Sequence, residues 1–344
     1  MSEDSYAKKR RQIANSLCTL LGLSIIASLL VGQIAIAGTA TYDPLAVSPR
    51  LKPDTVDFAV RDIRRRRDIP VRMYVLPTAS RAPIVLFSHG LGGSRQGSSY
   101  LGEHWASRGY AAIFLQHPGS DETIWKGTPA GERPDALRRA ATAQNFLLRV
   151  QDVAAVLDEL SDRRKIGQQV PIGRLDLGKV GMSGHSFGAI TAQWLSGQTT
   201  ENGKPRHTDP RISAALIMSP SSPRRGTPER AFASVSRPWM LMTGTKDLAR
   251  IGRVKLKSRL AVFPALAPLN KYELVLFGAH HFAFTDGVLD ERLEPRNPNH
   301  HRAILALSTA FWDTHLQGDP HAKEWLQGDG PSSFLESRDR WQTR

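Results

Sequence analysis

A serine between two glycines is the first candidate for a nucleophile in this chain. The apolar residues Val180-Gly181-Met182 lead into Gly184-His185-Ser186-Phe187-Gly188, and helix-compatible residues follow. A strand, a turn and a helix in this order are typical of a nucleophile elbow. The turn needs glycines at 184 and 188, because a Cβ there would collide with the neighbouring strand or helix. We predict that Ser186 lies at the tip of the turn, where the helix N-terminus favours developing negative charge.

A serine hydroxyl reacts at neutral pH only when a base accepts its proton and a third group orients that base. Two later strand ends supply both groups. The apolar residues 239–242 lead through a glycine turn to Asp247, and residues 274–277 lead through Gly278 to His280 and His281. We predict Asp247 as the acid, with an ordinary helix cap as its alternative role. Neighbouring side chains point in different directions, so only one histidine can face Ser186, and the sequence alone leaves both open.

The glycine-rich turn after an earlier strand could hold the charge that forms on a carbonyl oxygen. Residues 87–92 read Phe-Ser-His-Gly-Leu-Gly and follow a buried strand. Doubly wound hydrolases keep one oxyanion donor at this place and take the other from the residue after the nucleophile. We therefore predict the backbone N–H groups of Leu91 and Phe187 as the donors, with Gly90 shaping the loop. A plain tight turn is the alternative, and a phosphate loop is disfavoured because no Lys-Ser or Lys-Thr follows the glycines.

These motifs resemble those of a known group of enzymes. The runs at 87–92 and 184–188 are similar to the platelet-activating-factor acetylhydrolase and dienelactone-hydrolase-like branch of the α/β-hydrolases, and to bacterial polyester hydrolases and cutinases. The resemblance implies an α/β-hydrolase domain over residues 55–317, a Ser-His-Asp triad and no cofactor or metal. Polyester hydrolases often place phenylalanine directly after the catalytic histidine. The resemblance therefore favours His281, which precedes Phe282, over His280.

The chain departs from this group in two places. Dienelactone hydrolases use a cysteine where Ser186 stands, which argues against their substrate. The acetylhydrolases place their acid one strand earlier, but here that strand ends in Met218-Ser219-Pro220 without an acid. The role therefore returns to Asp247.

The elements that must position these residues alternate in type from residue 55 onward. Apolar β-rich runs and helical patterns follow each other, which predicts a mostly parallel, doubly wound sheet flanked by helices, with no large separate cap domain. The predicted strands are 56–60, 71–75, 84–87, 111–115, 179–182, 212–218, 239–242 and 272–277, and the predicted helices are 100–108, 136–160 and 302–316. Residues 318–344 form a tail that we expect to hold one short helix near Trp325 and then to fray.

The substrate is predicted to be a lipid-like or short-chain ester. His117 and Trp125 follow a strand in a polar segment and are expected at the edge of the pocket, although ordinary packing is the alternative. Amide cleavage by the same triad is the alternative chemistry. A binding protein that keeps the fold without catalysis is the alternative class.

The N-terminal 37 residues are typical of an export signal. Four basic residues, 8–11, precede an apolar run at 13–37 that ends in Ala-Ile-Ala. The run is long enough to anchor the chain in the inner membrane, which is the alternative to cleavage and release into the bacterial periplasm or medium. Residues 38–54 are expected to be a linker. The single cysteine, Cys18, lies in the signal, so the rest of the chain has neither a disulfide nor a thiol nucleophile.

The chain carries a formal net charge of +14 and has a dense arginine cluster at Arg61 and residues 64–67. The simplest interpretation is a solvated hairpin tip. The functional interpretation is contact with a membrane or another anionic surface. No nucleic-acid motif is present, and export argues against such a partner. The sequence leaves the oligomeric state unknown.

Overall fold

Strands that alternate with helices pair into a single mixed sheet. The computed structural model describes residues 41–162, 174–249, 251–286 and 296–344. Within these ranges, the strands β1 to β9 are, in chain order, Asp54–Asp62, Arg67–Val75, Ala82–Ser88, Ala111–Leu115, Leu175–His185, Ile212–Met218, Trp239–Lys246, Lys271–His280 and Arg340–Thr343. Their order in the sheet is β1-β2-β4-β3-β5-β6-β7-β8-β9. The six neighbouring strands β4, β3, β5, β6, β7 and β8 are parallel to one another. The strands β1, β2 and β9 extend the two edges of the sheet in antiparallel pairing.

Helices connect the parallel strands and flank the sheet. In chain order, α1 to α9 of the described residues are Ser99–Ser107, Arg133–Ala140, Ala143–Ser161, Phe187–Leu195, Pro228–Phe232, Leu256–Leu260, Val262–Ala265, Pro298–Trp312 and Pro320–Gln327. Short 3-10 turns occur at Glu122–Ile124, Ile251–Arg253, His281–Phe284 and Gly330–Phe334, and a π-turn at Asp313–Gln317 extends α8.

The central strands are buried over most of their length because helices cover both faces of a parallel sheet. All seven residues of β3 and all five of β4 are buried. Parallel strands all have their carboxyl ends at the same end of the sheet, so the loops after β3, β5, β7 and β8 meet there. The predicted α/β class, with a mostly parallel sheet and flanking helices of the α/β-hydrolase type, is confirmed.

The long helix predicted over 136–160 is two helices, α2 and α3. Ala141 ends the first, and Thr142 begins the second with an extended backbone. The Thr142 hydroxyl accepts a hydrogen bond from the N–H of Asn145 at 3.1 Å, which is an ordinary N-cap. Periodicity alone missed the break because both helices keep an apolar face.

The prediction that the chain frays after its last short helix was wrong. α9 forms near Trp325 as expected, but β9 then pairs with β8 at the sheet edge. The ring of Trp341 stacks on Tyr272, with the ring centroids 5.9 Å apart. Arg340 and Gln342 both donate to the buried carboxylate of Glu273. Cross-strand contacts with β8, rather than the apolar character of the tail itself, hold this segment.

The predicted export segment, 1–37, lies outside the described residues. Within the ranges described, no helix is long and apolar enough to cross a membrane. Part of the expected linker lies against α1, because Arg108 donates to the carbonyl oxygen of Ala46 at 2.6 Å and His104 contacts that of Pro44 at 3.2 Å. The other proposed boundaries stay predictions.

Candidate active site

The turn between β5 and α4 holds Ser186 in a strained conformation. Its φ is 58° and its ψ is −110°, in a region that residues other than glycine rarely occupy. The Ser186 N–H donates to the carbonyl oxygen of Met218 at 3.0 Å, which ties the turn to the end of β6. α4 begins at the next residue, Phe187. The serine is therefore fixed where β5 ends.

The glycines on either side of this serine are required for close approach of the backbone. A Cβ at Gly184 would overlap the carbonyl oxygen of Gly188. A Cβ at Gly188 would overlap the carbonyl oxygen of Ser88, at the end of β3. The sharp turn therefore packs directly against its own helix and the neighbouring strand, as expected from the spacing of the motif.

Three side chains from three strand ends form a continuous chain of hydrogen bonds. Oγ of Ser186 lies 2.8 Å from Nε2 of His281, and Nδ1 of His281 lies 2.7 Å from Oδ1 of Asp247. A carboxylate can only accept, so Nδ1 carries a proton and Nε2 is left to accept the serine proton. The arrangement can move a proton from the hydroxyl to the imidazole while the carboxylate stabilises the resulting cation.

The carboxylate of Asp247 is fully buried and well supplied with donors. Ser219 donates to Oδ2 at 2.7 Å and Thr243 at 2.9 Å, and Nη2 of Arg259 lies 3.0 Å from Oδ1. Burial acts to raise the pKa of Asp247, but the hydrogen bond and charge of His281, the charge of Arg259 and the hydrogen bond from Ser219 outweigh it. The pKa falls to about 2. Asp247 is therefore an anion at neutral pH.

Two residues near this carboxylate were missed by the sequence analysis as functional candidates. Arg259, on α6, is 1% exposed and donates to the carbonyl oxygens of Asp247 at 2.8 Å and Ser219 at 2.7 Å. Ser219 has a φ of 64°, which turns its hydroxyl toward the acid. The strand end Met218-Ser219-Pro220 was the one signal available, because related enzymes carry an acid there. Nothing local marks Arg259.

Of the two neighbouring histidines, the structure brings His281 to Ser186. His280 is the last residue of β8, and His281 begins the 3-10 turn that follows. The ring of His185 packs against that of His281, with the centroids 4.7 Å apart. Burial lowers the pKa of His185 well below its usual range, so this neighbour is neutral.

The segments that carry the two predicted oxyanion donors both pass close to Ser186. A Cβ placed at Gly90 would be 3.4 Å from the Cβ of Ser186, so the loop after β3 passes beside the nucleophile. The next residue is Leu91. Phe187 begins α4, so its N–H belongs to the open N-terminus of that helix. Among the residues described, neither N–H donates a hydrogen bond within the protein.

The two predicted pocket residues occupy different positions. His117 is fully buried, with Nε2 2.9 Å from Oγ of Ser88 and Nδ1 3.0 Å from Oδ2 of Asp152. Both ring nitrogens are engaged, so the prediction that His117 borders the pocket is corrected. Trp125 is half-buried and donates its indole N–H to the carbonyl oxygen of Gly92 at 2.7 Å. It supports the loop after β3, and contact with substrate stays a prediction for its exposed face.

The arginine cluster is only partly a solvated tip. Arg65 and Arg67 both pair with the buried Asp152, at 2.8 and 2.7 Å. Burial acts to raise the pKa of Asp152, but hydrogen bonds from His117 and Arg67 hold it far below the usual range. Arg64 and Arg66 are exposed.

Comparison with known proteins supports one part of this site. The family model of platelet-activating factor acetylhydrolase, isoform II, matches residues 68–167. The resemblance predicted from the motifs is confirmed over this segment, which contains the loop with Gly90 and Leu91 and ends before Ser186. No curated protein matches the sequence. No cluster of three or more metal-binding side chains occurs in the described parts of the chain.

Proposed function

We propose that this protein is a serine hydrolase of carboxylic esters that works through an acyl-enzyme. The observation that carries the proposal is the chain of hydrogen bonds from Ser186 through His281 to Asp247, at 2.8 and 2.7 Å. The match to an acetylhydrolase family over residues 68–167 supports ester chemistry. The reaction is a set of proton transfers and acyl transfers, so these side chains and water suffice for it.

In the first half of the reaction, Oγ of Ser186 attacks the ester carbonyl carbon and gives its proton to Nε2 of His281. The carbonyl oxygen becomes an oxyanion, which the N–H groups of Leu91 and Phe187 stabilise. The tetrahedral intermediate collapses when the bond to the alcohol oxygen breaks. His281 returns its proton to that oxygen, the alcohol leaves, and the acyl group stays on Ser186.

In the second half, water takes the place of the alcohol. His281 removes a proton from the water as its oxygen attacks the acyl carbon, and a second oxyanion forms in the same place. The bond to Oγ of Ser186 then breaks, and the proton on His281 returns to the serine. The acid product leaves, and Asp247 has held the imidazole in one tautomer throughout.

We propose lipid-like or short-chain esters as the substrate class. The family match points to ester substrates, and the half-buried Trp125 offers an apolar surface beside the oxyanion loop. Export to the periplasm or the medium, or anchoring by residues 13–37, stays part of the proposal, because that segment lies outside the described residues.

The exposed tip of the arginine cluster fits contact with an anionic surface. β2 is antiparallel to β4, so the β1–β2 turn lies at the end of the sheet that holds the carboxyl ends of the parallel strands. Arg67 reaches the carbonyl oxygen of Pro118, in the loop after β4. Beside Arg64 and Arg66, Ile63 is 77% exposed. This basic tip, with its exposed aliphatic side chain, lies at the same end of the sheet as Ser186. It would hold the protein at an anionic lipid surface with Ser186 nearby.

Hydrolysis of a chain-length series of p-nitrophenyl esters tests the proposed reaction. The purified wild-type protein is assayed beside His281→Ala and the matched control His280→Ala, with an equivalent p-nitroanilide included. We expect turnover of esters, its loss in His281→Ala and its retention in His280→Ala. Turnover of the anilide alone would indicate an amidase. Absence of turnover on every substrate by folded wild-type protein would contradict the proposal.

A further inference from the structure

A buried arginine and a buried histidine lie behind the loop after β3, and the proposed reaction does not use them. Arg149, on α3, is fully buried. It donates from Nη1 to the carbonyl oxygen of His89 at 2.6 Å and from Nη2 to that of Gly90 at 3.3 Å. Its guanidinium also lies over the ring of Phe187, 4.6 Å from the centroid. One side chain therefore contacts both segments that carry the proposed oxyanion donors.

The carbonyl oxygen of Gly90 belongs to the same peptide unit as the N–H of Leu91. In a trans peptide these groups point in opposite directions, so a group that holds the oxygen also aims the N–H. Three nitrogens surround that oxygen: Nδ1 of His89 at 2.6 Å, the N–H of Gly93 at 3.1 Å and Nη2 of Arg149 at 3.3 Å. Donors at the oxygen polarise the peptide unit and strengthen its N–H as a donor.

The hydrogen bonds of His89 fix its tautomer. Nε2 accepts from the backbone N–H of His117 at 3.1 Å, so the proton of the neutral ring is on Nδ1. Burial, and then the charges of Arg149 and His117, lower the pKa of His89 well below its usual range, which keeps the ring neutral. Nδ1 therefore donates to the carbonyl oxygen of Gly90. The 3.1 Å approach of Arg149 to Nδ1 places two donors side by side at one oxygen.

Among the residues that the structure describes, no carboxylate contacts the guanidinium of Arg149. Its remaining bonds go to hydroxyl groups, from Nε to Ser120 at 2.9 Å and from Nη1 to Ser88 at 3.2 Å. Asp152 is reached only through His117 and is itself paired with two other arginines. Burial lowers the pKa of Arg149 to about 9, so the guanidinium still carries its charge at neutral pH.

We propose that Arg149 and His89 are positioning residues for the oxyanion hole. They orient and polarise the peptide between Gly90 and Leu91, and the charge of Arg149 acts through that peptide on the oxyanion. This inference rests on the proposed ester hydrolysis at Ser186. Neither side chain touches the substrate, so the effect falls on the transition state rather than on substrate binding. The expected signature is a lower kcat at an unchanged KM.

Two substitutions of His89 separate its two nitrogens. Asn places an amide nitrogen where Nδ1 lies and can still donate to Gly90, whereas Gln places its amide group near Nε2 and loses that donor. We expect His89→Gln to lower kcat about 10- to 100-fold, a loss at or below that for deleting one oxyanion donor outright. We expect His89→Asn to stay within about threefold of wild type, because it keeps the donor.

Arg149→Gln provides an independent test, with Arg67→Gln as the matched control in the same buried network. Each variant is titrated with a chromogenic phosphonate ester that reacts with Ser186, and kcat is expressed per reactive site. Inhibition by an alkyl trifluoromethyl ketone, which forms a tetrahedral adduct with serine, is measured alongside. We expect Arg149→Gln and His89→Gln to weaken this inhibitor by the same factor as they lower kcat/KM, and Arg67→Gln to leave its affinity unchanged.

The outcomes distinguish this inference from the proposed function. If wild-type protein gives neither a phosphonate burst nor ester turnover, the proposed function fails and this inference fails with it. If wild type is active but His89→Gln and His89→Asn have equal kcat per site, the positioning role is overturned and the proposed function stands. A rise in KM alone, or inhibitor affinity that does not follow kcat/KM, also overturns it. If Arg149→Gln does not fold, the His89 pair decides the question alone.

Discussion

The two sides of Ser186 are each organised by one buried arginine, and the two arginines are used differently. On the acid side, Arg259 donates to backbone carbonyls and pairs with the carboxylate of Asp247 at 3.0 Å. On the oxyanion side, Arg149 donates to the carbonyls of His89 and Gly90, and within the described ranges its hydrogen bonds go to neutral groups. An arginine can therefore fix the backbone in both places. The charge of Arg259 is neutralised by Asp247, whereas the charge of Arg149 faces the peptide of Leu91.

Both sides are expected to serve one nucleophile, Oγ of Ser186, and Ser186→Ala tests this with the largest expected effect. We expect turnover to fall by about 10⁴-fold or more, because the nucleophile is lost. The side chain is small, so we expect the thermal unfolding midpoint to shift little. Ester hydrolysis and thermal unfolding by circular dichroism measure the two effects. Ester cleavage near the wild-type rate would remove Ser186 from the mechanism.

The acid side is further tested by Asp247→Asn, which changes the charge with little change in shape. We expect kcat to fall by about 10⁴-fold, because the amide no longer selects the tautomer of His281 or stabilises its cation. Kinetics per phosphonate-reactive site measure this loss. A loss of less than tenfold would move the role of the acid to another residue.

The same variant tests the lowered pKa of Asp247 through stability. The pKa is about 2 in the folded protein, against 3.8 for the ordinary group. Because the pKa of Asp247 is lower in the folded protein, its ionisation stabilises the fold at pH values above the pKa of the unfolded chain. This stabilisation is lost as the pH falls toward the pKa of the folded protein. We expect the contribution of Asp247 to the free energy of unfolding to be about 2 kcal/mol at pH 7 and about 1 kcal/mol smaller by pH 3. Urea unfolding of wild type and Asp247→Asn at both pH values checks this. A difference in stability that does not change with pH contradicts it.

The contrast between the arginines themselves predicts different pH profiles. The charge of Arg259 helps to lower the pKa of Asp247, so its removal in Arg259→Met should raise that pKa toward the ordinary value. We expect the loss of stability between pH 7 and pH 3, measured by urea unfolding, to be smaller in Arg259→Met than in wild type. Arg149→Gln should keep the wild-type pH dependence of stability, because Arg149 does not contact Asp247 among the residues described. Identical pH profiles of stability for the two variants would show that the arginines do not differ as described.

The smallest effect on turnover is expected outside both sides of the site, at the β1–β2 tip. We expect Arg64→Glu with Arg66→Glu to weaken binding to phosphatidylglycerol vesicles by about tenfold or more. Hydrolysis of soluble esters should stay within about twofold, since neither side chain belongs to the network around Ser186. Vesicle sedimentation measures binding. The matched control is Arg174→Glu with Lys179→Glu, exposed positions near the start of β5. Equal loss in both pairs would indicate a general charge effect.

The sequence predicts the parts of this molecule that depend on local pattern. The glycine spacing at 184–188 marks the elbow because the backbone there cannot accommodate a Cβ, and the apolar strands locate the loops at their carboxyl ends. Arg149 and Arg259 escaped notice because their partners lie 59 and 12 residues away in the chain. No local motif records such contacts. His117 was misjudged for the same reason, since its position after a strand suggested the surface and Asp152 holds it inside.

The most direct test of the account is to find the residue that reacts with a fluorophosphonate. Wild-type protein is treated with the probe, digested and analysed by peptide mass spectrometry, with Ser186→Ala treated in parallel. We predict one phosphonyl group per chain on the peptide that contains Ser186, and none in Ser186→Ala. Labelling of a different serine, or no labelling of folded wild-type protein, would contradict the assignment of this site as that of a serine hydrolase.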